Sequence, residues 1–128
     1  MPQMRNATKK NSRAHRDSAR FEAILLPPGG CELPVPPVPA QCEELWNRAQ
    51  KARWRELWRS PQASQWDESV RGTVAALVTY EDAILTRGAS AWQAQEARYA
   101  SEALGLTPRA MAALGWVIDD EGVVGGDE

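Results

Sequence analysis

Six prolines and two glycines crowd residues 27–39, PPGGCELPVPPVP, and they limit what the rest of the chain can become. Each proline removes a backbone donor and fixes φ, so this stretch forms neither a helix nor an interior strand. It reads as an extended, polyproline-like connector, either a linker or a strap packed on a body. No proline occurs between Ala40 and Ser60, so regular structure is expected to begin at residue 40. Four sections follow: a basic N-terminal arm over 1–26, largely disordered; the Pro/Gly-rich linker over 27–39; a helical body over 40–118; and an acidic tail over 119–128.

Within the body the apolar spacing is helical. Gln41 to Arg59 places Leu45, Trp46, Ala49, Leu57 and Trp58 near a helical repeat, and Ser60-Pro61 ends that helix because the residue before proline disfavours the α region. Asp67 or Ser64 is expected to cap a second helix with apolar positions Trp66, Val70, Thr73, Leu77, Tyr80 and Ile84. That seam has a period of about 3.5 residues. Val74, Val78 and Leu85 flank it as a second stripe, so the helix is expected to face both its own core and a neighbouring subunit. Gly72 within it is costly unless something packs closely there. Arg87-Gly88 closes the helix with a cation and a C′ glycine. Ser90 caps a third helix carrying Trp92, Ala94, Ala97, Tyr99, Ala100, Ala103 and Leu104, and the short connection predicts an antiparallel hairpin. Thr107-Pro108 starts a fourth helix that runs to Gly115. Trp116-Val117-Ile118 reads as a short apolar exit. The expected class is all-α, about four helices around a central antiparallel helical hairpin.

Charge is divided along the chain although the net is only −2. Residues 1–20 carry Arg5, Lys9, Lys10, Arg13, Arg16 and Arg20 against Asp17 alone. Residues 117–128 carry Asp119, Asp120, Glu121, Asp127 and Glu128 and no basic residue. A basic arm suits a polyanion, since each cation that neutralises a phosphate releases counterions; it also serves as a plain solubilising tail. The acidic tail can repel DNA, mimic it, dock a basic partner or simply be solvated.

Little in the chain suits catalysis. There is no GxxxxGK[ST] phosphate cradle. The single histidine, His15, sits in the arm, which argues against histidine-based acid/base chemistry. Glu43-Glu44, Asp67-Glu68, Glu81-Asp82 and Asp119-Asp120 are adjacent pairs, and adjacent helical side chains diverge by about 100° rather than forming a dyad. Cys31 and Cys42 have no zinc-site spacing with His15, so no metal and no cofactor is expected. No run of about 18 apolar residues is present to cross a membrane.

One surface stands out. Arg48, Lys51, Arg55 and Arg59 are three, four and four apart and fall on one helix face, able to track a nucleic-acid backbone or to form an ordinary solvated face. With one phenylalanine against six tryptophans, most of the large aromatic burial must come from indoles. Trp46, Trp54, Trp58, Trp66 and Trp92 are therefore read as core rather than as base-stacking platforms.

The lead PVPPVP, the pair Leu45-Trp46, the long middle helix, and above all LGLTPRA at 104–110 make residues 34–116 resemble the P27-type family of phage terminase small subunits. The stretch WRELWRSPQASQW is more aromatic and basic than that pattern. The resemblance implies a non-catalytic helical protein that binds double-stranded viral DNA near the packaging start. It also implies a ring of identical copies and a hand-over of DNA to the large terminase subunit, in the host cell cytoplasm and without a membrane. On that basis Lys9, Lys10, Arg13, Arg16 and Arg20 are the expected phosphate contacts, with Arg48, Lys51, Arg55 and Arg59 second. Trp66, Val70, Leu77, Tyr80 and Ile84 are the expected oligomer interface. Two other classes stay open: a helical transcription regulator reading DNA through the fourth helix, and a structural or scaffold interaction protein.

Overall fold

Local capping chemistry sets most of the helix limits. Asn47 accepts from the Gln50 amide at 2.9 Å while the Gln50 side chain accepts from the Asn47 amide at 2.9 Å, a reciprocal box that starts helix α1 at Arg48–Trp58. The helix expected from Gln41 is therefore shorter: Ala40–Cys42 is a single 3-10 turn, and the chain reaches α1 only after the Asn47 cap. Pro61–Gln65 and Glu68–Val70 are two further 3-10 turns, and Asp67 accepts from the Ser69 amide at the second of them. This second turn leads into α2, Arg71–Arg87, which ends at Gly88. Ser90 and Gln93 form another capping box at the start of α3, Ala91–Ala103. Thr107 accepts from Ala110 ahead of Pro108 at the start of α4, Pro108–Leu114.

The structure, a computed structural model, describes residues 23–119; of these 61% are helical and 6% lie in strands. The strands are an addition to the expected all-helical class. Ile24–Leu26 (β1), which lies in the section expected as arm, pairs in parallel with Trp116–Ile118 (β2), the expected apolar exit. Ile24 is opposite Trp116 and Leu26 opposite Ile118. The Ile24 amide bonds the Gly115 carbonyl at 2.9 Å and the Asp119 amide bonds the Leu26 carbonyl at 2.8 Å, extending the ladder at both ends. Parallel strands need a crossover, and here that crossover is the whole helical body.

The core is built around indoles. Trp46, Trp54, Trp58 and Trp66 follow one another with ring centroids 5.7, 5.6 and 5.1 Å apart, tilted to edge-on. Trp92 departs from expectation: it is 58% exposed and, among the rings of the described residues, meets only Tyr80, in an edge-to-face contact. Three indole N–H groups find acceptors: Thr79 Oγ1 for Trp46, the Pro36 carbonyl for Trp54 and the Leu104 carbonyl for Trp66. The Pro36 bond, with Val35 and Val38 packed against the core, makes 27–39 a strap laid on the body.

On α2 the core face is Val74, Leu77 and Val78. The core thus takes Leu77 from the expected interface seam and Val74 and Val78 from the second stripe. Gly72 is exposed, and a Cβ there would meet nothing within 4 Å, so the close neighbour expected for it is not among the described residues. Gly105 is the opposite case. Its φ of +73° suits glycine, and a Cβ would lie 2.1 Å from the Trp116 ring, which packs over the turn between α3 and α4.

Candidate nucleic-acid interface

An eleven-residue helix with Trp54, Leu57 and Trp58 turned inward must present its remaining positions to solvent or to neighbours. The basic groups of α1 then divide. Lys51 is held by Glu43 at 3.2 Å. Arg53 donates through Nε and Nη2 to the two oxygens of Glu81 on α2, at 2.8 and 3.2 Å, and through Nη1 to Glu56 at 2.8 Å. Those two carboxylates, chiefly the Glu81 hydrogen bond, hold the Arg53 guanidinium more firmly protonated than usual against the opposing effect of burial. Both charges are thereby locally neutralised. Arg48, Arg55 and Arg59 are exposed and form no ion pair among the described residues.

Of the expected stripe, then, three arginines stand free and Lys51 is paired. Arg53 was not part of that stripe, and its partner Glu81 lies 28 residues away, where helical spacing carries no signal. The expected arm contacts Lys9, Lys10, Arg13, Arg16 and Arg20 lie outside the described residues. Beside the free arginines runs an open groove of about 1000 Å³. Ala52, Arg55 and Arg59 edge it, Leu57 and Leu77 form its floor, and Leu106 of the α3–α4 turn faces them. Arg109, the one basic residue of α4, is exposed on a seven-residue helix, a short reader for a groove of DNA.

The expected oligomer seam is split between inside and outside. Trp66 and Leu77 are buried in the protomer's own core. Val70 and Tyr80 are half-buried against it. Ile84 is exposed, and its apolar company on the α2–α3 end is Leu85 and Trp92, 76% and 58% exposed. Cys31 and Cys42 are free thiols, and burial pushes the Cys42 thiol above the usual range. No cluster among the described residues offers three or more metal-ligating side chains, and no described helix is long and apolar enough to cross a membrane.

A family model described as phage terminase small subunit matches residues 4–124. No curated protein and no solved structure matches the chain.

Proposed function

The chain belongs to the phage terminase small subunit family, with a role related to genome packaging, and from that premise we propose that it binds double-stranded viral DNA through α1 and the basic arm. The carrying observation is the division of charge on α1. Lys51 and Arg53 are neutralised within the chain, while Arg48, Arg55 and Arg59 stay exposed and unpaired on one face among the described residues. Three arginines at helical spacing suit successive phosphates. Such contacts position a protein on a duplex without reading its sequence. Lys9, Lys10, Arg13, Arg16 and Arg20 add a second set of phosphate contacts. The protein acts without chemistry of its own, as a ring of identical copies in the host cytoplasm that coordinates packaging with the large terminase subunit.

The self-association surface in this reading is the exposed end of the α2–α3 pair. Ile84, Leu85 and Trp92 are available there, with Tyr80 at its edge, whereas Val70 lies at the opposite end of α2 and Trp66 and Leu77 are occupied by the core.

The decisive experiment is duplex binding across a salt series. Replacing Arg48, Arg55 and Arg59 by alanine is expected to lower affinity and to flatten the slope of log K against log salt by roughly 2 to 3. Neutralising the five arm residues is expected to flatten the slope by roughly 4 to 5. An α1 variant with unchanged affinity and slope removes this helix from the interface.

A further inference from the structure

The groove beside Arg55 and Arg59 lies over the buried Leu57 and Leu77, and its accessible apolar lining is Ala49, Ala52 and Leu106. It therefore suits an extended segment that alternates charge with small apolar groups. Arg53, beside the groove, is shared between Glu56 and Glu81, a cluster of net −1, so together with Arg55 and Arg59 the groove region keeps a net charge of +1. The chain itself contains a complementary segment. Residues 119–128 read DDEGVVGGDE, two acidic clusters on either side of Val123-Val124, without a single basic residue.

That segment starts near the groove. The Asp119 amide is bonded to the Leu26 carbonyl at 2.8 Å. One turn later, closed by the Gly30 amide on the Pro27 carbonyl at 3.1 Å, the Cys31 amide is bonded to the carbonyl of Arg59 at 3.0 Å. The last described residue thus lies about one turn from the end of α1 that carries Arg59. Residues 120–128 span up to about 30 Å when extended, while Arg55 and Arg59 are separated by roughly 6 Å along the helix. Gly122, Gly125 and Gly126 allow the bend that this path requires. The α1 dipole is negative at this end and disfavours a carboxylate on the axis, so contact falls on the guanidinium groups, which stand away from it.

We infer that the acidic segment 120–128 docks in the α1 groove of its own chain, with its carboxylates on Arg55 and Arg59 and Val123-Val124 against Ala49, Ala52 and Leu106. The segment occupies two of the three arginines assigned above to phosphates, and so acts as an internal competitor of DNA. That consequence rests on the DNA reading of α1; the docking does not.

The test uses the full chain carrying Arg55→Lys and Arg59→Lys, which supply amines to a zero-length carbodiimide cross-linker. Links from positions 55 or 59 to carboxylates of 120–128, found by peptide mass spectrometry and lost in high salt, are expected. The Lys51–Glu43 pair, 3.2 Å apart, is the internal control. Formation of the control link without any link to 120–128 overturns the docking. Links found only between differently isotope-labelled copies overturn docking on the same chain. In a separate arm, Asp120→Asn, Glu121→Gln, Asp127→Asn and Glu128→Gln together are expected to raise duplex affinity at low salt by roughly tenfold. The gain should vanish when Arg55 and Arg59 are alanine, and a full gain in their absence overturns the competition. If no form of the chain binds DNA, the α1 reading fails while the cross-link still decides the docking.

Discussion

Trp54 and Trp58 are neighbours in one row of rings, yet their polar atoms are treated differently. Trp54 is fully buried and donates to the Pro36 carbonyl at 2.8 Å, whereas Trp58 Nε1 is buried without an acceptor among the described residues. A buried donor with a partner contributes to stability, and one without costs its desolvation. Trp54→Phe and Trp58→Phe remove similar volumes, so the difference between them reports the hydrogen bond. Trp54→Phe is expected to lose about 1 kcal/mol more than Trp58→Phe in urea unfolding. Equal losses would mean that the strap bond contributes nothing. That these indoles form the core was legible in the sequence, because a chain with six tryptophans and one phenylalanine has few other large aromatic groups. Trp92 was misread because helical spacing ranks faces only against one another and does not say which face is covered.

Among the elements, signals carried by a few adjacent residues were the legible ones. Ser90 and Thr107-Pro108 begin α3 and α4 where their capping chemistry places them. The start of α1 was equally readable in principle, since Asn47 and Gln50 have capping-box spacing, but the apolar repeat from Gln41 drew the boundary too early. The strands were not readable. Each has three residues, too few for a period, and the partners lie at opposite ends of the body. On α2 both apolar stripes were seen, but the core drew Leu77 from one and Val74 and Val78 from the other. The glycines give the element-scale prediction. Gly72→Ala is expected to stabilise the protomer by roughly 0.5–1 kcal/mol, because helix propensity improves and no described residue stands in the way. Gly105→Ala is expected to destabilise it by about 1–3 kcal/mol, since both φ and the Trp116 ring oppose a Cβ. Denaturation midpoints check both, and a destabilising Gly72→Ala would reveal a close neighbour at that face.

For the whole molecule, the candidate site was partly legible. Helical spacing found the face that carries Arg48, Arg55 and Arg59, but it could not foresee that Glu43 takes Lys51, since the two approach through the irregular chain ahead of α1. The assembly prediction belongs at this scale. Leu85→Glu with Trp92→Glu is expected to leave the helical content by circular dichroism unchanged, because both side chains are largely exposed. In native mass spectrometry the same change is expected to shift a multi-subunit species toward monomer. An unaltered assembly would move the contact to another face.

The parallel pairing of β1 and β2 also has a mechanical consequence. The chain enters this ribbon at Ile24 and leaves it at Ile118, and because the strands run the same way those two points lie at opposite ends. A pull that draws the segments before and after the body apart slides one strand along the other. The load is then shared by the bonds from Ile24–Gly115 to Asp119–Leu26, which must yield together, whereas an antiparallel pair loaded at the same two points would peel open one bond at a time. A ribbon of only three residue pairs thus resists tension in the direction in which a pull on the segments before and after the body would apply it.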